Sequence, residues 1–119
     1  MTQPLTAACI QMNTSGVIDD NIAAAEALIR EAHGAGARYI ALPENAFFMR
    51  GDDTIAPRDY HMHDHPGLTR CRELAAELES WILVGSIFVA LEDAFGADVG
   101  KWANRCVLLN PNGEIVKCY

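Results

Sequence analysis

The first half of the chain alternates short apolar runs with one segment of helical periodicity. Residues 6–12 form an apolar run that a turn at 13–16 ends, and residues 38–42 form a second run that ends at Pro43. Residues 19–21, Asp-Asp-Asn, are typical of a helix N-terminal cap. The apolar positions that follow recur at helical spacing, at Ile22, Ala25, Ile29 and Ala32. This order predicts a βαβ unit with parallel strands.

The second half predicts a loop, a helix and a long buried strand. Residues 46–66 show no period and indicate a surface loop, of the kind that usually serves a site or a partner. A helix is expected from about Gly67 to Ser80. The continuous apolar run from Trp81 to Val89 indicates a strand buried on both faces.

The last quarter of the chain predicts a connector and a hairpin. We expect residues 92–100 to be a polar connector, because they are polar and contain glycine. Strands at 104–109 and 114–119 flank Asn110-Pro111-Asn112-Gly113, a sequence that suits a type I turn. The whole pattern predicts an α/β fold with a mixed sheet and two helices.

Composition and charge limit the function classes. The chain has 119 residues, 50% of them apolar, which indicates one globular domain. Its net charge of −7 argues against nucleic acid as a partner, and no window reaches the ~18 apolar residues of a membrane span. The N-terminus has no secretory signal, so we expect a cytoplasmic protein. We expect reduced, buried thiols at Cys9, Cys71, Cys106 and Cys118.

Glu44 is the first candidate for chemistry. It follows Pro43 at the carboxyl end of a predicted parallel strand, where ligands bind in open α/β sheets. Its neighbours are apolar, at Leu42, Ala46, Phe47 and Phe48. We therefore expect Glu44 to lie partly desolvated in a dry cleft, which would make it a general base. The alternative is a solvated loop glutamate or a helix cap.

Histidines form the second candidate cluster, at His61, His63, Asp64 and His65. Alternating His and Asp side chains on an extended segment could coordinate a metal ion, but their spacing matches no strong metal-binding signature. We therefore expect a solvated loop and no metal site. The cysteines lie in predicted strands or on an apolar helix face, and none has the exposed turn of a nucleophile.

These features, in this order, resemble the N-terminal part of the nitrilase-type carbon–nitrogen hydrolases. The matching segments are the strand 8–12, Asn21, Ala32 with Gly36 and Ala37, Leu42-Pro43-Glu44-Asn45, Gly85-Ser86, and the hairpin from Asn104 to Val116. Residues 43–49 look most like the amidase branch that includes enzymes acting on deaminated glutathione and ω-amides.

The resemblance implies an α-β-β-α sandwich that pairs through a subunit interface, and a catalytic set of Glu, Lys and Cys. Glu44 falls on the catalytic Glu, and Asn45, Phe47 and Phe48 would line part of the substrate pocket. In this family the Cys attacks the carbon of a small amide, and the amide is hydrolysed to a carboxylate and ammonia without a metal or cofactor. Neither Lys117 nor Cys118 matches the family's Lys or Cys, because Tyr119 holds the tyrosine position that precedes that Lys.

We therefore expect residues 1–119 to be the truncated N-terminal part of one hydrolase domain, without its C-terminal half and inactive alone. A sheet face left uncovered near Trp81 and Val107 would favour a homo-oligomer. Two alternatives stay open. One is a non-catalytic remnant that works as a binding or assembly module. The other is a small metal-binding protein that uses His61, His63 and His65.

Overall fold

A computed structural model of the chain describes residues 2–49 and 59–119. The elements follow the predicted alternation of strands and helices. In order they are β1 (Ala7–Cys9), α1 (Ile18–Gly34), β2 (Tyr39–Leu42), α2 (Pro66–Glu77), β3 (Trp81–Glu92), β4 (Asp98–Leu109) and β5 (Ile115–Cys118). The α/β class with a mixed sheet and two helices is confirmed. Residues 50–58 of the predicted surface loop lie outside the described residues.

The strands form one sheet in sequence order, β1-β2-β3-β4-β5. The first three are parallel, and helices connect them as the βαβ pattern predicts. β4 and β5 are antiparallel to their neighbours. The predicted hairpin turn is present, since Gly113 N donates to Asn110 O at 2.9 Å, and Gly113 has the positive φ of 78° that favours glycine.

The connector predicted at 92–100 is shorter in the structure, where it spans residues 93–97. β3 continues to Glu92 and β4 already begins at Asp98, so the two strands form a long hairpin. The Asp93 carboxylate accepts hydrogen bonds from Phe95 N and Ala97 N, at 2.8 and 2.9 Å, and so closes the turn between them. Polar residues extend the ladder here because this end of β4 is exposed and needs no apolar side chains.

The hydrophobic core lies on the face of the sheet that the helices cover. Its largest buried side chains include Ile29, Ile40, Leu68, Leu74, Ile82, Val84 and Leu109. The residues that alternate with them are less buried: Leu83 is intermediate and Phe88 is 51% exposed. The prediction that β3 is buried on both faces is therefore wrong, because within the described chain the two helices pack on one face only.

The first strand also differs from its prediction. β1 is three residues long, lies at the edge of the sheet and is mostly exposed. Cys9 and Cys118 are exposed and Cys106 is half-buried, so the expectation of buried thiols holds only for Cys71. Burial raises the pKa of the Cys71 thiol to about 12, which leaves it unreactive.

The two helices are joined across the surface by charged side chains. Glu26 and Arg30 form the i,i+4 pair, at 3.0 Å, and Arg70 of α2 donates to Glu26 at 2.6 Å. Hydrogen bonds from Arg70, and then from Arg30, lower the pKa of Glu26 to about 2. Arg30 also reaches Glu77 at 2.9 Å. Neither helix has the length and apolar content that a bilayer crossing requires.

Candidate active site

Glu44 lies in the turn that follows β2, at the carboxyl end of the three parallel strands. β2 ends at Leu42 because Pro43 cannot donate to a sheet ladder. The expectation of a partly desolvated carboxylate is wrong within the described chain, since Glu44 is exposed. Its apolar neighbours Ala46 and Phe47 turn into the core under the sheet and leave the carboxylate on the outside.

A bulge in β3 holds one side of this turn. The pairing of β3 with β4 slips between Gly85 and Ile87, so the backbone groups of Ser86 are not used by β4. Ser86 N donates to Pro43 O at 2.9 Å, and Ser86 O accepts from Ala46 N at 3.1 Å. The Ser86 hydroxyl accepts from Asn45 N at 3.3 Å. Three hydrogen bonds to one residue therefore fix the backbone on both sides of Glu44.

Asn21 holds the other side of the turn. Its amide nitrogen donates to Phe47 O and to Ser15 O, both at 2.8 Å, and its oxygen accepts from Ser15 N at 2.8 Å. Asn21 was predicted to cap α1, and that prediction is wrong. The cap position is Val17, and Asn21 lies within the helix, 3% exposed, where its amide joins two loops.

Two further bonds join the same loops. Thr14 Oγ1 donates to Ala46 O at 3.2 Å, and Met49 N donates to Ser15 O at 2.9 Å. The segment 43–49 is thus tied to β3, to the loop before α1 and to α1 itself. A segment without regular secondary structure is fixed in this way, and it places Glu44 at a defined point on the sheet edge.

The three expected pocket residues have different surroundings. Asn45 is half-buried and has a φ of 47°, a left-handed conformation that asparagine adopts more readily than most residues. Phe47 is a core residue, 2% exposed, and its ring packs over Gly67 at the start of α2. Phe48 is half-buried. Their role as pocket residues stays a prediction.

The side chain of Asn104, on β4, contacts the Glu44 carboxylate. Its amide nitrogen donates to Glu44 Oε1 at 3.3 Å. Asn104 pairs with Phe88 in the β3–β4 ladder, and the Phe88 ring stacks on Trp102, with centroids 6.4 Å apart. Both aromatic residues are about half exposed, at 51% and 48%. Glu44 therefore lies beside an amide and an exposed aromatic surface.

Sequence reasoning gave no role to Ser86 or Asn104. A signal for Asn104 is its polar side chain in a predicted strand, which indicates a strand face that is not core. The bulge at Ser86 has no local signal apart from Gly85, since glycine inside a strand often marks a bulge.

The histidines divide into two groups. His65 is 4% exposed and caps α2, accepting from Gly67 N and Leu68 N through Nδ1. Burial lowers its pKa to about 4, so it stays neutral. His65 is therefore not part of a solvated loop or a metal site. His61, His63 and Asp64 lie together, with one potential ligand atom of each within 4.8 Å of the others.

Comparison with known proteins decides the family. A family model described as "Carbon-nitrogen hydrolase" matches residues 6–119. The chain belongs to the carbon–nitrogen hydrolase family. This finding confirms the resemblance to the carbon–nitrogen hydrolases seen in the sequence. The Glu44 carboxylate is nevertheless more exposed than expected.

Individual relatives agree with this family. The chain is 30% identical to the omega-amidase NIT2 of Homo sapiens, over 94% of this chain and 38% of that protein. It is 34% identical to the N-carbamoylputrescine amidase of Arabidopsis thaliana, over 76% of this chain and 35% of that protein. A carbon–nitrogen hydrolase from Helicobacter pylori G27 shares the fold, with a TM-score of 0.74 and 18% identity, over 97% of this chain and 38% of that chain. The chain thus spans little more than a third of these relatives' length.

Proposed function

We propose that this chain is the N-terminal part of an amidase-type carbon–nitrogen hydrolase domain in which Glu44 is the general base. The complete protein hydrolyses a small acidic or neutral amide to a carboxylate and ammonia. The observation that carries the proposal is the turn at 43–46, which three hydrogen bonds to Ser86 hold at the carboxyl end of the parallel strands. The family match over residues 6–119 and the two amidase relatives support it.

The geometry suits a carboxylate that accepts and returns a proton. Asn104 holds one oxygen of Glu44, and within the described residues no other side chain bonds the carboxylate. In the proposed reaction Glu44 takes the proton of a cysteine thiol, and the sulfur attacks the amide carbon. Glu44 then gives that proton to the amide nitrogen, so that the C–N bond breaks, ammonia leaves and a thioester remains. A water, deprotonated by the same carboxylate, attacks the thioester and releases the acid and the thiol.

The thiol and the lysine that would stabilise the oxyanion are not assigned to any of these 119 residues. Cys118 and Lys117 lie on the edge strand β5, and the resemblance places the family's nucleophile and lysine elsewhere. Among the remaining thiols, Cys71 is buried and unreactive. We therefore propose that residues 1–119 alone have no amidase activity, since a base without a nucleophile contributes only about 10²–10⁴-fold.

The exposed aromatic surface beside Glu44 supports assembly into homo-oligomers. Phe88 and Trp102 are 51% and 48% exposed, and they lie on the face of the sheet that the two helices of the described chain leave uncovered. Apolar surface of this kind drives association in water. Either a second subunit or a further part of the protein would bury this aromatic surface and exclude water from the surroundings of Glu44.

The test compares two glutamates in the full-length protein encoded by the reading frame that contains this sequence. Ammonia release from a panel of small amides is measured for the wild type, Glu44→Gln and Glu114→Gln. Glu114 is exposed in the β4–β5 turn and is the matched control. We expect Glu44→Gln to lower kcat by about 10²-fold or more, and Glu114→Gln to leave it unchanged.

Two results would contradict the proposal. Full activity of the Glu44→Gln variant would show that Glu44 is not the general base. Ammonia release by the 119-residue chain alone, abolished by Glu44→Gln, would show that the chain supplies its own nucleophile.

A further inference from the structure

A second cluster of ionisable side chains lies beyond the Glu44 site and shares no residue with it. The segment 60–64 runs beside the end of β3, because Ala90 N donates to Tyr60 O at 2.8 Å. A tight turn follows, in which His61 N donates to Asp64 Oδ1 at 2.7 Å. We call the resulting group the His61 cluster. It consists of His61, His63, Asp64, Glu92 and Asp98.

Carboxylates from the β3–β4 hairpin face both imidazoles of the cluster. Glu92 lies 3.7 Å from His61 Nδ1 and 3.5 Å from His63 Nδ1, using a different oxygen for each. Asp98 Oδ2 lies 3.5 Å from His61 Nε2. Each nitrogen of His61 therefore has a carboxylate near it. The sequence alone could not show this, because Glu92 and Asp98 are between 29 and 37 residues away from the histidines.

The spacing fits a metal ion. Two ligands bound at 2.0–2.1 Å to a tetrahedral zinc ion stand about 3.4 Å apart. The Glu92 contacts are within a few tenths of an ångström of that separation. The ligand atoms of His61, His63 and Asp64 lie no more than 4.8 Å from one another. Small side-chain rotations would bring these atoms to the separation that a tetrahedral ion requires.

The second ring nitrogen of His61 shows how the imidazole would be oriented in the cluster. Among the described residues, His61 Nε2 is the buried side-chain polar atom without a hydrogen-bond partner. The His61 and His63 rings also stack, with centroids 5.5 Å apart and planes 8° apart. A metal on Nδ1 of His61 would leave the proton on Nε2, where Asp98 could accept it. This is the arrangement in which a carboxylate orients a metal-bound histidine.

We propose that the His61 cluster binds a divalent transition-metal cation, zinc above all, through His61, His63 and Asp64, with Glu92 completing the coordination and Asp98 orienting His61. The mixture of imidazole and carboxylate ligands suits zinc, nickel or cobalt, whereas calcium and magnesium favour oxygen ligands alone. The ion would tie the segment 60–64 to the β3–β4 hairpin. It has a structural role, and the hydrolytic reaction does not use it.

Zinc titration of the 119-residue chain tests the proposal. The accessible cysteines are alkylated first, so that thiols cannot bind the metal, and binding is measured by calorimetry. We expect one zinc ion per chain. Asp98→Asn should weaken binding about 10-fold, and His61→Gln or His63→Gln at least as much. His33→Gln is the matched control, because His33 lies in the last turn of α1, outside the cluster, and should leave the affinity unchanged.

Cobalt provides the second measurement. We expect d–d absorption bands of the cobalt form without thiolate-to-metal charge transfer, and their loss in His63→Gln. The His63 side chain is 65% exposed, so this variant should keep the fold, which a melting curve checks. The proposal is overturned by the absence of stoichiometric binding, by unchanged affinity in a folded His63→Gln variant, by equal loss in His33→Gln, or by a thiolate band.

Discussion

Replacing Asn21 by aspartate separates two roles that this residue could have. Aspartate at the start of a helix is favourable, so Asn21→Asp would be neutral or stabilising if the residue only capped α1. In the structure the amide nitrogen of Asn21 donates to Phe47 O and Ser15 O, both at 2.8 Å. The substitution removes both donors and directs a carboxylate at two carbonyl oxygens.

The expected loss of stability follows from these contacts. Leaving the buried Phe47 O without a donor costs about 1–3 kcal/mol, and the bond to the more accessible Ser15 O contributes about 1 kcal/mol. The helix dipole would return at most about 1 kcal/mol. We therefore expect Asn21→Asp to lower the free energy of unfolding by about 2–3 kcal/mol, a large part of the total for a small domain.

Urea unfolding followed by tryptophan fluorescence measures this loss, with Trp81 and Trp102 as the probes. Asp20→Asn is the control, because Asp20 is exposed in the first turn of α1 and has only the dipole interaction to lose. We expect it to cost no more than about 1 kcal/mol. A stability of Asn21→Asp equal to or above the wild type would refute the role of Asn21 as the anchor of the segment 43–49.

Three further outcomes are expected. The hydrogen bond from Arg70 is the main cause that lowers the pKa of Glu26 from 4.5 to about 2. The stability that the ionised Glu26 contributes is therefore complete above pH 4.5 and is lost as the pH falls toward 2. Arg70→Gln should flatten this acidic part of a plot of melting temperature against pH. Gly67→Ala would place a Cβ 2.5 Å from Phe47 Cγ and should destabilise by about 1–3 kcal/mol, and adding Phe47→Leu should recover part of this loss in urea unfolding. Phe88→Lys should weaken self-association in sedimentation, because Phe88 is 51% exposed on the uncovered sheet face; unchanged association would exclude that face.

The order of elements could be predicted because each depends on a local pattern. The helical spacing of Ala25 and Ile29 and the apolar run of 81–89 are visible in short windows of the sequence. Glu44 was placed at a strand end for the same reason, since Pro43 marks that end. The family resemblance then gave the residue its expected role.

The contacts that fix the site could not be predicted, because they join distant segments. Asn21 has the sequence context of a cap, and only the meeting of residues 15 and 47 makes it an anchor. The dry surroundings expected for Glu44 rested on its apolar neighbours along the chain. Leu42, Ala46 and Phe47 are buried in the core whereas Glu44 is exposed, so apolar neighbours along the chain did not desolvate its carboxylate.

The three histidines show the same limit. His61, His63 and His65 are equivalent in an alternating pattern, yet His65 begins a helix and is buried. Pro66 was the available signal, because proline is favoured in the first turn of a helix and the preceding residue then takes the cap position. The carboxylates that approach His61 come from a hairpin that was predicted to be a connector.

The bonds that hold the turn after β2 also bear on the order in which the protein acquires its shape. Asn45 is 41 residues before the serine that binds it, and Phe47 is 26 residues after the asparagine that binds its carbonyl. Such long-range closures slow folding. During synthesis from the N-terminus, Glu44 leaves the ribosome well before Ser86 does, so its carboxylate stays unplaced until the third strand has been made and has joined the sheet.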